Sequence, residues 1–165
     1  MPDIKDPEHL VQMKAHATRM MQFVPWAKEL GFHLTELERG RAVGRLPWSE
    51  HLVGDPRSGI VHGGVITSLL DNLCGAATVS ALDTFMSTAT LDLRIDYMRP
   101  ADKGRDIIGE AECYHVTRTV AFTRAWAFHD NRNKVIATAA GAFALNDPSA
   151  WASGLSNAIE KDKAP

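Results

Sequence analysis

The chain has 165 residues, of which 45% are hydrophobic and 23% charged, with a formal net charge of −2. That is the length and composition of one soluble domain able to bury a proper core. It excludes a disordered chain, and it excludes a protein that grips nucleic acid through a broad positive field.

In chain order, apolar residues at Leu10, Met13, Ala17, Met20 or Met21, and Val24 recur with a helical period over Glu8 to Val24, and Pro25 is expected to end that helix. Two short strands are predicted near Gly31 to Leu37 and Arg41 to Leu46, turning at Arg39-Gly40. A loop from Pro47 to Ser58 follows. The longest helical signal runs from Gly63 to Leu82, and its broad apolar stripe predicts a helix that is mostly enclosed.

The period then changes to two. Phe85, Ala89, Leu91, Leu93, Ile95 and Tyr97 fall on one row, and Thr88, Thr90, Asp92, Arg94 and Asp96 on the other. Further strands are predicted over Arg105 to Val116, Val120 to Phe128 and Lys134 to Leu145, with a turn at Asp130-Asn131-Arg132-Asn133. The order of helix, two strands, long enclosed helix and four strands indicates an α+β fold whose antiparallel sheet curls around the second helix. The expected organisation is an N-terminal helix within 1–24 packed on the domain, a body over 25–147 and a polar tail over 148–165.

No leading apolar stretch reads as a signal peptide, and the most apolar window, Ile60 to Leu82, is broken by Asp71 and Asn72. No membrane span is expected, and a cytoplasmic location is. Cys74 and Cys113 both sit in apolar stretches, which favours buried thiols over a disulfide framework. The seven histidines lie at no spacing that sets two ligands on one face, so no metal site is expected. Phosphate-binding, dinucleotide-binding and serine-hydrolase motifs are absent from the sequence.

Chemistry concentrates in Gly59-Ile-Val-His62-Gly63-Gly64-Val-Ile and in Asp71-Asn72. Two glycines at a helix start either permit tight packing or let a ligand reach bare N–H groups that have no helical partners. Asp71 stands in a largely apolar helix. There it is either satisfied by Ser68 or a neighbouring strand, or it is a base or nucleophile in a cleft.

Gly63 and Asp71 are eight residues apart, about 12 Å along a helix that rises about 1.5 Å per residue. One carbonyl cannot meet both within a catalytic reach of about 3 Å. If both serve one reaction, they come from two copies of the helix lying antiparallel.

These residues resemble the hotdog-fold acyl-CoA thioesterases of the phenylacetate-pathway (PaaI-like) branch, over about Pro25 to Phe143. The resemblance rests on Leu30-Gly31, on the His62-Gly63-Gly64 stretch with Asp71 nine residues after His62, and on Leu91-Asp-Leu-Arg-Ile-Asp-Tyr-Met-Arg-Pro100-Ala. Arg118-Thr-Val-Ala-Phe122 and Ile136-Ala-Thr-Ala-Ala-Gly-Ala-Phe143 extend it. It implies a long central helix wrapped by a curved antiparallel sheet, assembled as a homodimer or a dimer of dimers. It implies metal-independent hydrolysis of an acyl-CoA thioester, with coenzyme A as part of the substrate and no other cofactor.

By the same resemblance Asp71 is nucleophile or general base, and the Gly63 N–H of the opposite subunit polarises the carbonyl. Thr90 assists the attacking water, and His62, Gly64 and Asn72 shape or contact the substrate site. Thr90 stands on the polar row of its strand, so that row is expected to face a neighbouring subunit's cleft; the alternative is a strand threonine chosen for β propensity. Where many members carry Asn six residues before the motif histidine, this chain has Pro56, leaving Asp55, Arg57 or Ser58 to supply that contact. Arg99 and Arg118 are expected in surface salt bridges, the alternative being a phosphate contact to coenzyme A. The alternative function is a non-catalytic acyl-CoA-binding module, with a hydratase on the same fold ranked last.

Overall fold

A computed structural model of the protein describes residues 25–84 and 86–146. The predicted N-terminal helix, the polar tail and Phe85 lie outside the described residues. Helix α1 spans Pro25–Leu30 and buries Ala27 and Leu30. Proline suits a first turn, because its φ is already helical and the N–H it lacks would have no partner there. Gly31 closes α1 at φ 72°, its N–H meeting the carbonyls of Ala27 and Lys28 at 3.1 Å each.

Strands β1 (His33–Glu38) and β2 (Arg41–Leu46) follow as an antiparallel hairpin. The stretch expected to be a plain loop contains a 3-10 turn, Glu50–Leu52, and a small hairpin of β3 (Val53–Asp55) and β4 (Ile60–Val61). Strands of three and two residues are too short to show a period. Helix α2 then spans Gly63–Ala81, one residue shorter than predicted.

The remaining strands are β5 (Ser87–Tyr97), β6 (Ile107–Val116), β7 (Val120–Phe128) and β8 (Ala137–Asn146). The last begins three residues later than expected, because Lys134 to Ile136 is spent on the turn: the Lys134 N–H donates to Asn131 O at 2.9 Å and the Ile136 N–H to Ala127 O at 2.7 Å.

One antiparallel sheet orders the long strands β1-β2-β6-β7-β8-β5, and α2 packs against all six of them. Leu69, Leu70, Leu73, Cys74 and Ala77 of α2 are fully buried in that concavity. The close approach is made by glycines. Gly44 and Gly109 are cross-strand partners on β2 and β6, and a Cβ on either would lie 2.9 Å and 2.4 Å, respectively, from Leu73 methyl carbons. Leu73 rests in a socket of bare backbone. The alternating buried residues of β8, Ala137, Ala139, Gly141, Phe143 and Leu145, line the same concavity. The α+β architecture, a central helix wrapped by a curved antiparallel sheet, is the one the sequence predicts.

One strand departs from its expected pattern. Between Thr90 and Asp92 the β5–β8 register shifts: Thr90 pairs with Phe143 and Asp92 with Ala142, so Leu91 is an extra, unpaired residue. Such a bulge moves every later side chain to the opposite face. Before it Thr90 faces α2; after it Leu93 and Ile95 do, packing on the core. The reading that Thr90 and Tyr97 occupy opposite rows is therefore corrected.

Candidate active site

Helix α2 carries the site at two levels. At its start His62 is extended (φ −63°, ψ 133°) and is the N-cap, its Nδ1 accepting the Gly64 N–H at 3.0 Å. The His62 carbonyl accepts the Val65 N–H at 3.0 Å. Of the two glycine N–H groups only Gly63's has no protein acceptor among the described residues. It points from the positive end of a 19-residue helix. The sequence places both glycines at the site; the structure separates a capped N–H from a donor ready for a ligand.

Tyr97, from the end of β5, covers Gly63. Its hydroxyl donates to the Gly63 carbonyl at 2.8 Å and lies 2.7 Å from Thr67 Oγ1, and a Cβ on Gly63 would stand 3.2 Å from the Tyr97 ring. Thr67 Oγ1 also reaches the Gly63 carbonyl at 3.3 Å. An open cleft of about 310 Å³ lies beside this helix start, lined by Ile60, Val61, Ile66, Tyr97, Met98 and Pro100 among others. Arg99 borders it, but its guanidinium grips the main-chain carbonyls of Val135, at 3.1 Å, and Lys134. That replaces the expected salt bridge. Arg118 is exposed in the β6–β7 turn.

Two turns further along, Asp71 is partly buried and accepts the Thr90 hydroxyl on Oδ1 at 2.8 Å. The Asp71 partner comes from the neighbouring strand and not from Ser68, whose hydroxyl donates to Gly64 O at 2.9 Å and accepts the Trp26 indole N–H at 3.1 Å. The contact needs no second subunit, contrary to the expectation for Thr90, because the Leu91 bulge turns that residue toward its own helix. The second carboxylate oxygen and the hydroxyl's lone pairs remain for a water or substrate. Asn72 is not brought to this pair; its amide donates to the Ser68 carbonyl at 2.9 Å. His62, Gly63 and Asp71 are arranged along α2, with Thr90 of β5 beside Asp71 and Gly64 taken up in the cap.

Pro56 faces elsewhere, lining a second open cleft of about 280 Å³ with Trp48, Glu50, Val53, Gly59 and Lys103. Asp55 is consumed by its own turn: its carboxylate accepts from Ser58 Oγ at 2.9 Å and from the Arg57 N–H at 3.1 Å, and these bonds hold its carboxyl below the usual range. The Cys74 thiol is buried and its pKa is pushed up to about 12 by desolvation, so it stays protonated and inert as a nucleophile. Among the described residues no group of three or more His, Cys, Asp or Glu side chains could hold a metal ion. Among them, too, no helix is long and apolar enough to cross a membrane.

Sequence reasoning did not single out Tyr97 or Thr67. The signal for Tyr97 was its place seven residues after Thr90, unreadable until the bulge is known.

A thioesterase superfamily model matches residues 58–136, the span holding His62, Gly63, Asp71, Thr90 and Tyr97. A solved Pseudomonas aeruginosa protein is 42% identical, with a TM-score of 0.73 over 80% of this chain and 98% of that one. The Escherichia coli medium/long-chain acyl-CoA thioesterase YigI is 28% identical over 133 residues, covering 73% of this chain and 84% of its own. The E. coli PaaI protein, from the phenylacetic acid degradation operon, shares the fold at 21% identity and a TM-score of 0.73, over 85% of this chain and 96% of that one. The chain belongs to the thioesterase superfamily and folds as its hotdog unit.

Proposed function

We propose that the protein hydrolyses an acyl-CoA thioester to the free acid and coenzyme A, in a site shared by two copies of the chain. The observation that carries the reading is the Thr90-bonded Asp71 carboxylate on the same helix as the uncommitted Gly63 N–H. They stand about 12 Å apart at about 1.5 Å per residue, so a carbonyl resting on Gly63 of one copy is attacked from Asp71 of the other. The exposed edge strand β5, with Leu91 61% accessible and Met98 just beyond it 60%, is the surface where a second copy fits.

As general base, Asp71 takes a proton from water while the water oxygen bonds to the thioester carbon. Charge gathers on the carbonyl oxygen, and the Gly63 N–H and helix dipole stabilise it there more than in the ground state. Collapse breaks the C–S bond, and the proton held on Asp71 passes to the departing sulfur. As nucleophile, the same carboxylate would form an anhydride that water then opens. In either route Thr90 holds one carboxylate oxygen and leaves the other aimed.

The test uses two variants. Asp71→Asn and Gly63→Pro each lower thiol release from acyl-CoA by about 10²- to 10³-fold. Proline fits the backbone of a first helical position, and His62 already has the extended backbone that a following proline requires. Its Cβ would stand 3.2 Å from the Tyr97 ring, so a wild-type circular-dichroism spectrum is required of Gly63→Pro before mixing. Unfolded together and refolded as a mixture, the two inactive proteins regain about a quarter of wild-type activity, because half the dimers carry one intact shared site. A mixture that stays inactive overturns the shared site, and unchanged hydrolysis by Asp71→Asn removes Asp71 from the mechanism. A wild-type protein that binds acyl-CoA without releasing thiol overturns the reaction in favour of an acyl-CoA-binding module.

A further inference from the structure

Two consecutive glycines at a catalytic helix start pose a physical problem. Glycine is the least constrained residue, and an oxyanion donor is useful only if it is held in place before charge develops. The structure holds the pair from two sides. His62 Nδ1 takes the Gly64 N–H at 3.0 Å, which fixes one end of the Gly63–Gly64 peptide. The Tyr97 hydroxyl takes the Gly63 carbonyl at the other end, at 2.8 Å. The phenol ring also closes the space where a Gly63 side chain would stand, at 3.2–3.3 Å.

The hydroxyl protons are allotted by distance. Tyr97 gives its proton to Gly63 O, and Thr67 Oγ1, 2.7 Å from the phenol oxygen, gives its own to Tyr97, since the Thr67 link to Gly63 O is the longest of the three at 3.3 Å. Each bond in such a chain polarises the next.

The same strand reaches Asp71 through Thr90, seven residues before Tyr97. In a regular strand residues an odd number apart face opposite ways. Here both face α2 because Leu91 is bulged out of the ladder.

We propose that Tyr97 is a positioning residue, acting through Gly63 to hold the Gly63 N–H in the direction of the developing oxyanion, and that the Leu91 bulge exists so that one strand can steady both the donor and the Asp71 carboxylate. The inference rests on the proposed hydrolysis and extends it to a residue that need not touch the reacting atoms.

Tyr97→Phe removes the hydroxyl and keeps the ring. The expected result is a fall in kcat of about tenfold with KM within about twofold, since a donor left loose costs transition-state stabilisation more than ground-state binding. Amide hydrogen exchange at Gly63 and Gly64, followed on ¹⁵N-labelled protein, quickens in the variant. Tyr114→Phe, at an exposed tyrosine of β6, changes neither readout.

Asp71→Asn is assayed alongside. If it abolishes turnover while Tyr97→Phe turns over like the wild type, the positioning role is overturned and the hydrolysis stands. If the wild type releases no thiol, the hydrolysis reading falls, and exchange alone decides the clamp: unchanged exchange at the two glycines overturns it, and faster exchange supports it.

Discussion

β8 and β5 run side by side, paired from Ser87 against Asn146 to Tyr97 against Ala137, yet they are built for opposite tasks. β8 has a neighbour on each side, and its buried row is mostly Ala and Gly, which lets α2 sit close. β5 is the sheet edge and leaves large apolar residues uncovered, Leu91 and Tyr97 among them. It is also the strand that touches the site, at Thr90–Asp71 and at Tyr97–Gly63. The covered strand lets the helix close on the sheet, and the uncovered one carries the contacts to the proposed site. An edge strand carrying such contacts is also one whose order depends on what comes to lie beside it.

That division can be broken by substitutions on either strand. The largest expected effect is Thr90→Val on β5, which removes the hydroxyl from Asp71 at nearly constant shape. Turnover should fall by about 10- to 100-fold while the unfolding midpoint stays close to wild type. Steady-state kinetics beside a thermal melt would check it, and a melt that collapses with the activity would mean β5 carries stability too.

Next is Gly141→Ala on β8. Its new methyl would stand 2.9 Å from Leu93 Cδ1 and 3.0 Å from the Asp92 carbonyl, a backbone atom that cannot swing away. The expected cost is about 1–3 kcal/mol of stability, read as a lower denaturant midpoint with kcat per folded molecule little changed.

The smallest effect lies outside both strands. The Trp48 N–H and then Arg45 hold the Asp106 carboxyl below the usual range. Its folded pKa is below its unfolded one, so its stabilisation is present above an unfolded value of about 4 and is lost as pH falls through the folded value. Asp106→Asn should cost about 1 kcal/mol at neutral pH and should flatten the loss of stability below about pH 4. Denaturant titrations across that range would measure it.

Much of this molecule is legible in its sequence, for reasons that can be named. Helix α2 is readable because a 19-residue amphipathic period with glycines at its head has few other interpretations. β7 is found at its predicted ends, Val120 and Phe128, because large and small residues alternate along it. Asp71 shows itself by the cost of a carboxylate among leucines, and its distance from Gly63 follows from helix geometry alone.

What escapes is set by tertiary contact. The six-residue helix Pro25–Leu30 is too brief for a period to show. The β3–β4 hairpin is too brief for a pattern. Asn72 adjoins Asp71 in sequence, yet the next residue on a helix points about 100° away, and its amide returns to Ser68. Thr90 is named by resemblance, but its direction is misread because a bulge leaves the composition of a strand untouched.

That bulge bears on how such a chain can vary over time. Substituting Leu91 changes one exposed side chain. Deleting it would leave a strand still able to pair with β8, but with either the Thr90 half or the Tyr97 half turned to the far side of the sheet. For this strand the count of residues between 90 and 97 is more tightly held than their identity. Insertions and deletions there should be far rarer among active relatives than exchanges of one side chain for another.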